Sequence, residues 1–308
     1  MNLTKIGMTL VFGTLCAGAP MASAELVTGL TVTNTLVTFD SATPGAVSAP
    51  VAITGLGAGE FLVAIDRRPA TGQLYGLGSA SHLYGINAVT GAATQVGSSG
   101  AFTLSGTAFG FDFNPTVDRI RVTTTTTQNL RLNPNDGTLA ATDSALAYAA
   151  GDPNVGATPR IVGSAYTNNF SGATTTTLYD IDSNLDILAT QNPPNNGTLN
   201  TVGALGFNTS DLVGFDISGL TGTAFASLTA PGAPSSSLFT VNLATGAGTL
   251  VGTIGASGAL LDIAVTTAVP EPSITISTSL GLAVLAFALR RRRTSVRPSE
   301  LISPPSSH

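Results

Sequence analysis

Four aspartates stand in closely similar apolar settings along the chain: Ile65-Asp66, Phe111-Asp112-Phe113, Phe215-Asp216-Ile217 and Leu261-Asp262-Ile263. Carboxylates gathered from separate segments could bind a divalent cation such as Ca2+, which takes oxygen ligands, or form the acid and base of a glycoside-cleaving pair. A plainer use of the same side chains is to accept backbone N–H bonds from neighbouring strands. Asp66, Asp112, Asp216 and Asp262 are therefore the candidate site carboxylates, and backbone bonding is the leading expectation for them.

Other reactive groups are few. His82, in Ser79-Ala80-Ser81-His82, is the one histidine between residues 25 and 268. A hydrolase triad needs a histidine with an acid and a nucleophile, and a zinc site needs several His or Cys ligands. His82 is read as an ordinary surface residue. The only cysteine, Cys16, lies in an N-terminal apolar segment, so no thiol chemistry is expected of the main body and no catalytic residue is assigned. Arg67, Arg68 and the run Asp118-Arg119-Ile120-Arg121 read as rim salt bridges, which contribute little individually. The threonine runs 123–127 and 174–177 suit exposed strand faces and loops.

The elements that must position the aspartates are strands. Residues 62–97 read as four short strands separated by turn signals: Leu62-Val63-Ala64-Ile65-Asp66, Leu74-Tyr75-Gly76-Leu77, Leu83-Tyr84-Gly85-Ile86-Asn87 and Ala93-Thr94-Gln95-Val96-Gly97. The third strand and its Thr90-Gly91 exit recur as Leu238-Phe239-Thr240-Val241-Asn242 with Thr245-Gly246, and in shorter form as Leu130-Arg131-Leu132-Asn133 with Asp136-Gly137. Leu178-Tyr179-Asp180-Ile181-Asp182 reads as another copy with a longer exit. Fourth-strand endings recur at Gln95-Val96-Gly97, Thr201-Val202-Gly203 and Leu250-Val251-Gly252. The aspartates sit on the first strands, and Ala165-Tyr166-Thr167 is the one first strand without an Asp.

Repeats of four strands that cannot bury their faces alone are the signature of propeller blades. Units begin near residues 62, 109, 161 and 212. The first stretch, 26–56, holds three strands, and a leftover strand at 260–265 completes it. The expectation is an all-β, five-bladed β-propeller closed by its N- and C-terminal strands, with an irregular β-sandwich as the alternative. The phrases Gly110-Phe111-Asp112-Phe113-Asn114-Pro115, Gln128-Asn129-Leu130-Arg131-Leu132-Asn133-Pro134, Ala165-Tyr166-Thr167-Asn168-Asn169 and 191–199 resemble a family of bacterial secreted proteins, domain of unknown function 4394. The resemblance spans about residues 30–265 and implies no activity or site residues.

Charge excludes one class of partner. Residues 25–268 hold six Arg, no Lys and fifteen Asp or Glu, a formal charge of −9. Nucleic acid is not expected, because phosphate neutralisation needs clustered Lys and Arg. An acidic surface suits solubility outside the cell.

The two ends read as addresses. Residues 1–24 begin with Lys5, continue through an apolar stretch and finish on Ala22-Ser23-Ala24, the layout of a Sec signal peptide cleaved after Ala24. Near the other end, Val269-Pro270-Glu271-Pro272 precedes an uncharged stretch, 274–289, and the cluster Arg290, Arg291, Arg292 and Arg293. A helix of 16 to 18 apolar residues at about 1.5 Å each just crosses a hydrocarbon core. Arginines after it hold that end in the cytoplasm. This order resembles the PEP-CTERM sorting signal of Gram-negative bacteria, which implies recognition and tail removal by an exosortase. Fifteen residues, 294–308, follow the arginines, more than such signals usually carry.

The domains expected are thus a signal peptide (1–24), the propeller (25–268), a sorting signal with a transmembrane helix (269–293) and a disordered cytoplasmic tail (294–308). The functional expectation is an exported cell-surface or matrix protein, non-catalytic, binding exopolysaccharide or cell-envelope glycans. Signal peptidase and exosortase act on it, and membrane association through the C-terminal helix is transient. The alternative is a secreted glycoside-acting enzyme that uses the channel carboxylates. No cofactor is expected beyond a Ca2+ ion on the aspartates.

Overall fold

A computed structural model of the chain describes residues 24–266. The expected signal peptide up to residue 23, the sorting motif, transmembrane helix, Arg cluster and cytoplasmic tail lie outside the described residues. No helix among the described residues is long and apolar enough to cross a membrane.

The chain enters on β1 (Leu26–Thr31), β2 (Thr35–Asp40) and the two-residue β3 (Val51–Ala52). The first complete blade follows: β4 (Leu62–Arg67), β5 (Leu74–Gly78), β6 (Leu83–Ile86) and β7 (Ala93–Val96). The second is β8 (Phe109–Asn114), β9 (Arg119–Thr124), β10 (Asn129–Leu132) and β11 (Leu139–Thr142). After β12 (Ala147–Tyr148), the third runs β13 (Ile161–Tyr166), β14 (Leu178–Asp182), β15 (Ile187–Gln191) and β16 (Thr198–Ala204). The fourth is β17 (Val213–Ile217), β18 (Ala224–Leu228), β19 (Ser237–Val241) and β20 (Gly248–Thr253), and β21 (Leu260–Thr266) ends the ring.

β21 pairs antiparallel with β1, with Val27 opposite Val265 and Leu30 opposite Asp262, so the last blade has the order β21-β1-β2-β3. The protein is a five-bladed β-propeller closed by both ends of the described chain, as the leftover strand predicts. Closure of this kind leaves only short, protected sheet edges.

Two readings of the repeat need correction. The third sheet has five strands, because β12 adds in parallel to the outer edge of β16. A two-residue strand is too short to carry an alternating pattern. Leu178–Asp182 is the second strand of its blade and not the third, which is Ile187–Gln191. Alternation marks a strand without giving its place in the sheet.

The five innermost strands, β4, β8, β13, β17 and β21, pack on one another around the axis. Close approach demands glycine where they meet: a Cβ on Gly214 would collide with the backbone of Asp262 and Ile263. Four of the five blade interfaces are apolar. Leu62, Ile65 and Ile86 meet Leu30 and Leu36, and Ala64 and Leu77 meet Phe111, Phe113 and Val122. Ala165 and Leu188 meet Phe215 and Ile217, and Phe225 and Leu238 meet Val27 and Ile263. The interface between the second and third blades is different: Thr123, Ser164, Arg121, Tyr166, Asn129 and Gln191 meet there in a buried polar network.

Candidate functional site at the ring axis

The four sequence-selected aspartates come together at the axis. Asp66 takes the N–H of Arg67 on Oδ1 at 2.6 Å and that of Phe113, on the next innermost strand, on Oδ2 at 2.9 Å. Asp216 accepts Ile217 N–H at 2.6 Å and, across the blade boundary, Val265 N–H at 2.6 Å. Asp262 accepts Ile263 N–H at 2.8 Å and Ile65 N–H at 2.9 Å. Asp112 accepts Tyr166 N–H at 3.2 Å.

The bonds therefore run round the ring, β21 to β4, β4 to β8, β8 to β13 and β17 to β21. The step from β13 to β17 lacks its carboxylate, as the sequence Ala165-Tyr166-Thr167 predicts. There Asn169 Nδ2 donates back to Asp216 Oδ1 at 3.5 Å. Innermost strands of neighbouring blades share no ladder, so their exposed N–H groups need acceptors from side chains. The aspartates supply them.

This belt is sealed. Asp66, Asp112 and Asp216 are each 1% exposed and Asp262 is 5% exposed. Oxygens of Asp66, Asp112 and Asp216 lie within 4.8 Å of one another. Burial raises the pKa of Asp66 and Asp112 well above the usual carboxylate value, and neighbouring carboxylates, Asp216 for Asp66 and Asp66 for Asp112, add to it. Burial also raises Asp216 and Asp262, against the backbone N–H bonds that favour the charged forms. Like charges this close in low dielectric disfavour one another's ionisation.

Two chemistries can be weighed on these distances. A cation held at 2.3–2.6 Å from each oxygen would fit three oxygens this close, so Asp66, Asp112 and Asp216 are the residues that could hold Ca2+. Both oxygens of Asp66 and Asp216 already accept N–H bonds, however, and Ca2+ takes six to eight oxygens. An acid–base pair acting on a glycoside needs room for sugar and water between its carboxyl groups. These carboxyls face backbone, not solvent.

Above the belt, where β4, β17 and β21 end, a cavity of about 320 Å3 opens, lined by Arg67, Arg68, Asn169, Phe170, Leu220 and Thr266. Arg67 donates to Gly72 O at 3.1 Å and Thr28 Oγ1 at 3.2 Å, while its Nε, Asn169 Oδ1 and Thr266 Oγ1 are buried without partners among the described residues. Burial lowers the Arg67 pKa, and the Asp66 carboxylate works against that.

Residues 35–264 of this ring match the family described as Domain of unknown function (DUF4394). The chain belongs to that family. Comparison with curated proteins finds no match. Among solved structures, the DUF4394 ring is similar to a protein of Bacteroides uniformis provisionally named a 6-phosphogluconolactonase (14% identity, 76% of this chain and 84% of that one, TM-score 0.41). It is similar to the same degree to glutaminyl cyclase of Myxococcus xanthus (14% identity, 62% and 76% of the two chains, TM-score 0.41). Likeness at that level carries no argument about the site.

The remaining sequence-selected residues of the DUF4394 ring lie elsewhere. His82 is not a free surface residue: its Nδ1 lies 2.9 Å from Glu60 Oε2, to which Tyr84 OH also donates at 2.6 Å. Burial pushes the Glu60 carboxyl up, and the bonds from Tyr84 and His82 overcome it and hold the pKa below its ordinary value. Glu60 stands in a Gly-rich turn with no repeat to mark it, so its role is invisible in sequence.

Arg68 and Asp118 do form an ion pair between the first two blades. Arg121 does not belong to the rim. It is 2% exposed and donates from Nη1 to Asn129 Oδ1 at 2.8 Å and Asp143 Oδ2 at 2.6 Å. Thr123, Thr124 and Thr125 are buried rather than exposed.

Proposed function

We propose that this DUF4394 chain is an exported, non-catalytic binding or scaffolding propeller, sorted to the cell surface or matrix by exosortase and displayed there to hold exopolysaccharide or cell-envelope glycans. The observation that carries the non-catalytic part is the axial belt: the one concentration of carboxylates selected from sequence is occupied in fastening blade to blade, with backbone N–H groups on both oxygens of Asp66, Asp216 and Asp262 and on one of Asp112. The glycoside-acting alternative loses its geometric support for the same reason.

Support for export comes from the two ends. Ala22-Ser23-Ala24 precedes Glu25 directly, and Val269-Pro270-Glu271-Pro272 begins three positions after β21 ends at Thr266. Processing at either place removes no strand of the ring. Signal peptidase would act at the first and exosortase at the second, leaving the membrane association transient.

Fractionation of the producing cells tests this reading. The wild-type chain is expected at the surface or in the medium with its C-terminal tail removed, and a variant with Pro270, Glu271 and Pro272 all replaced by Ala is expected to stay in the inner membrane with the tail attached. Identical size and location of the two would sink the sorting assignment. Failure of the purified protein to retain the producer's polysaccharide in a pull-down would count against the binding role.

A further inference from the structure

The polar interface between the second and third blades ends in a cavity of about 230 Å3 where Arg119, Arg121, Arg131, Asn114, Tyr166 and Asn195 converge. Three of the six arginines in residues 25–268 line this one space. Among the described residues no carboxylate lines it; Asp143, behind the lining, is bound at once by Arg121 Nη1 at 2.6 Å and by Arg131 Nε and Nη2 at 2.8 and 2.9 Å. Hydrogen bonds from Arg131 and Arg121 hold the Asp143 carboxyl below its ordinary pKa against the opposing effect of burial. Asp118 is engaged by Arg68, and Arg119 donates only to the Asp118 carbonyl, at 2.9 Å, among the described residues. The exposed Asp136 is close enough to feel the Arg119 charge. Three guanidinium groups against the two carboxylates Asp143 and Asp136 leave positive charge in a domain whose formal charge is −9.

The donors are held in place. Arg121 is fixed by Asn129, Asp143, Asn195 (Nη2 to Oδ1, 2.8 Å) and Tyr166 (Nε to the hydroxyl, 3.4 Å). Gly110 lets the two blades approach this closely, since a Cβ there would collide with Thr123 and Ser164. A buried polar network at the one interface where its neighbours are apolar is the kind of local departure that marks a site.

We infer that this cavity binds the carboxylate of an acidic sugar. Among the described residues, Arg119 keeps Nε and Nη2 free to match a planar carboxylate through paired N–H bonds, and Arg131 keeps Nη1, its Nε and Nη2 being on Asp143. Ile120 and Pro194 give the lining an apolar part, and the amide groups of Asn114 and Asn195 offer donors for sugar hydroxyls. The volume is below the roughly 300–1,000 Å3 of a drug-sized site, so it takes one ring and not a chain. The choice of a sugar over a free anion rests on the reading of the ring as a displayed glycan binder.

Calorimetric titration of the full chain in nonionic detergent, with glucuronate, glucose and inorganic phosphate as probes, tests the inference. Glucuronate is expected to bind saturably, glucose not at all, and phosphate more weakly than glucuronate. Arg119→Gln, whose side chain holds no other element in place, is expected to weaken glucuronate binding about tenfold with an unchanged melting temperature, the usual worth of one charged hydrogen bond. Arg119→Lys should recover part of it. No glucuronate binding, equal binding of glucose, tighter binding of phosphate, or an Arg119→Gln variant that binds like wild type would each overturn it. Lost glucuronate binding with correct surface location fails this inference alone, whereas mislocation with binding intact fails only the export reading.

Discussion

Asp262 carries two jobs in one side chain: it satisfies Ile263 on its own strand and Ile65 on the neighbouring blade. Truncation to alanine leaves two buried N–H groups without acceptors, each worth about 1–3 kcal/mol. Asp262→Ala should therefore destabilise the ring by several kcal/mol in denaturant unfolding. Asp262→Asn keeps one acceptor oxygen but sets an NH2 against the other N–H, so it should cost less than alanine by about one of these bonds and still destabilise the ring. An alanine variant as stable as wild type would show that the belt is ornamental. The same residue indicates what sequence can give at this scale. A repeated Asp on a repeated strand can be located by eye, but whether its oxygens face solvent or backbone depends on the spacing between blades. The partners Glu60 and Asp143 carry no repeat signal, and Arg121, in a charged tetrapeptide that looks like surface, is buried because its partners come from residues 129, 143, 166 and 195.

At the scale of elements, the strands were legible nearly to the residue from their recurring phrases and turn signals, although inner strands such as β8 and β13 are buried on both faces and carry little alternation. β4 starts at Leu62, β8 at Phe109 and β13 at Ile161, where the repeat places them. Ring closure was legible too, because an incomplete first unit and an orphan last strand have one economical solution. β12 was not, being held by two parallel-paired residues and by Tyr148 OH on Asp182 at 2.7 Å, contacts that exist only once the third blade is formed. Closure has a direct consequence. β21 supplies the Asp262 bonds and packs Leu260 and Ile263 into the core between the fourth and last blades. A chain ending at Ala268 should be soluble and cooperative in thermal unfolding, and one ending at Ala259 should aggregate, with β1 left as an open edge. Equal solubility of the two would refute closure by β21.

Across the whole molecule, the buried acids divide into two sets that pull stability in opposite directions with pH. Burial raises Asp66, Asp112, Asp216 and Asp262, and it raises Asp180, at the interface between the second and third blades, to about 7. The native state binds more protons than the unfolded chain for these groups, so their cost begins above the ordinary Asp pKa near 4 and, for Asp180, is complete only above about 7. Asp143, Asp211 and Glu60 are held below their ordinary values by Arg131 and Arg121, by Arg160, and by Tyr84 and His82 respectively. Their contribution is full above the ordinary carboxylate range and is lost as pH falls through it. The two sets leave a maximum near pH 5. Scanning calorimetry is expected to give a melting temperature several degrees higher at pH 5 than at pH 7.5, with a fall below pH 4. Asp180→Asn keeps an acceptor for the Ser164 hydroxyl, which donates to Asp180 Oδ1 at 2.5 Å, and removes the titrating proton. It should narrow the difference between pH 5 and 7.5 by about 3 kcal/mol at most, since roughly two of the pKa units of the rise fall between pH 5 and about 7. A melting temperature that climbs steadily from pH 5 to 8 would mean that the axial carboxylates are ionised and neutralised by something other than protons, a bound divalent cation being the first to test by adding Ca2+ and chelator.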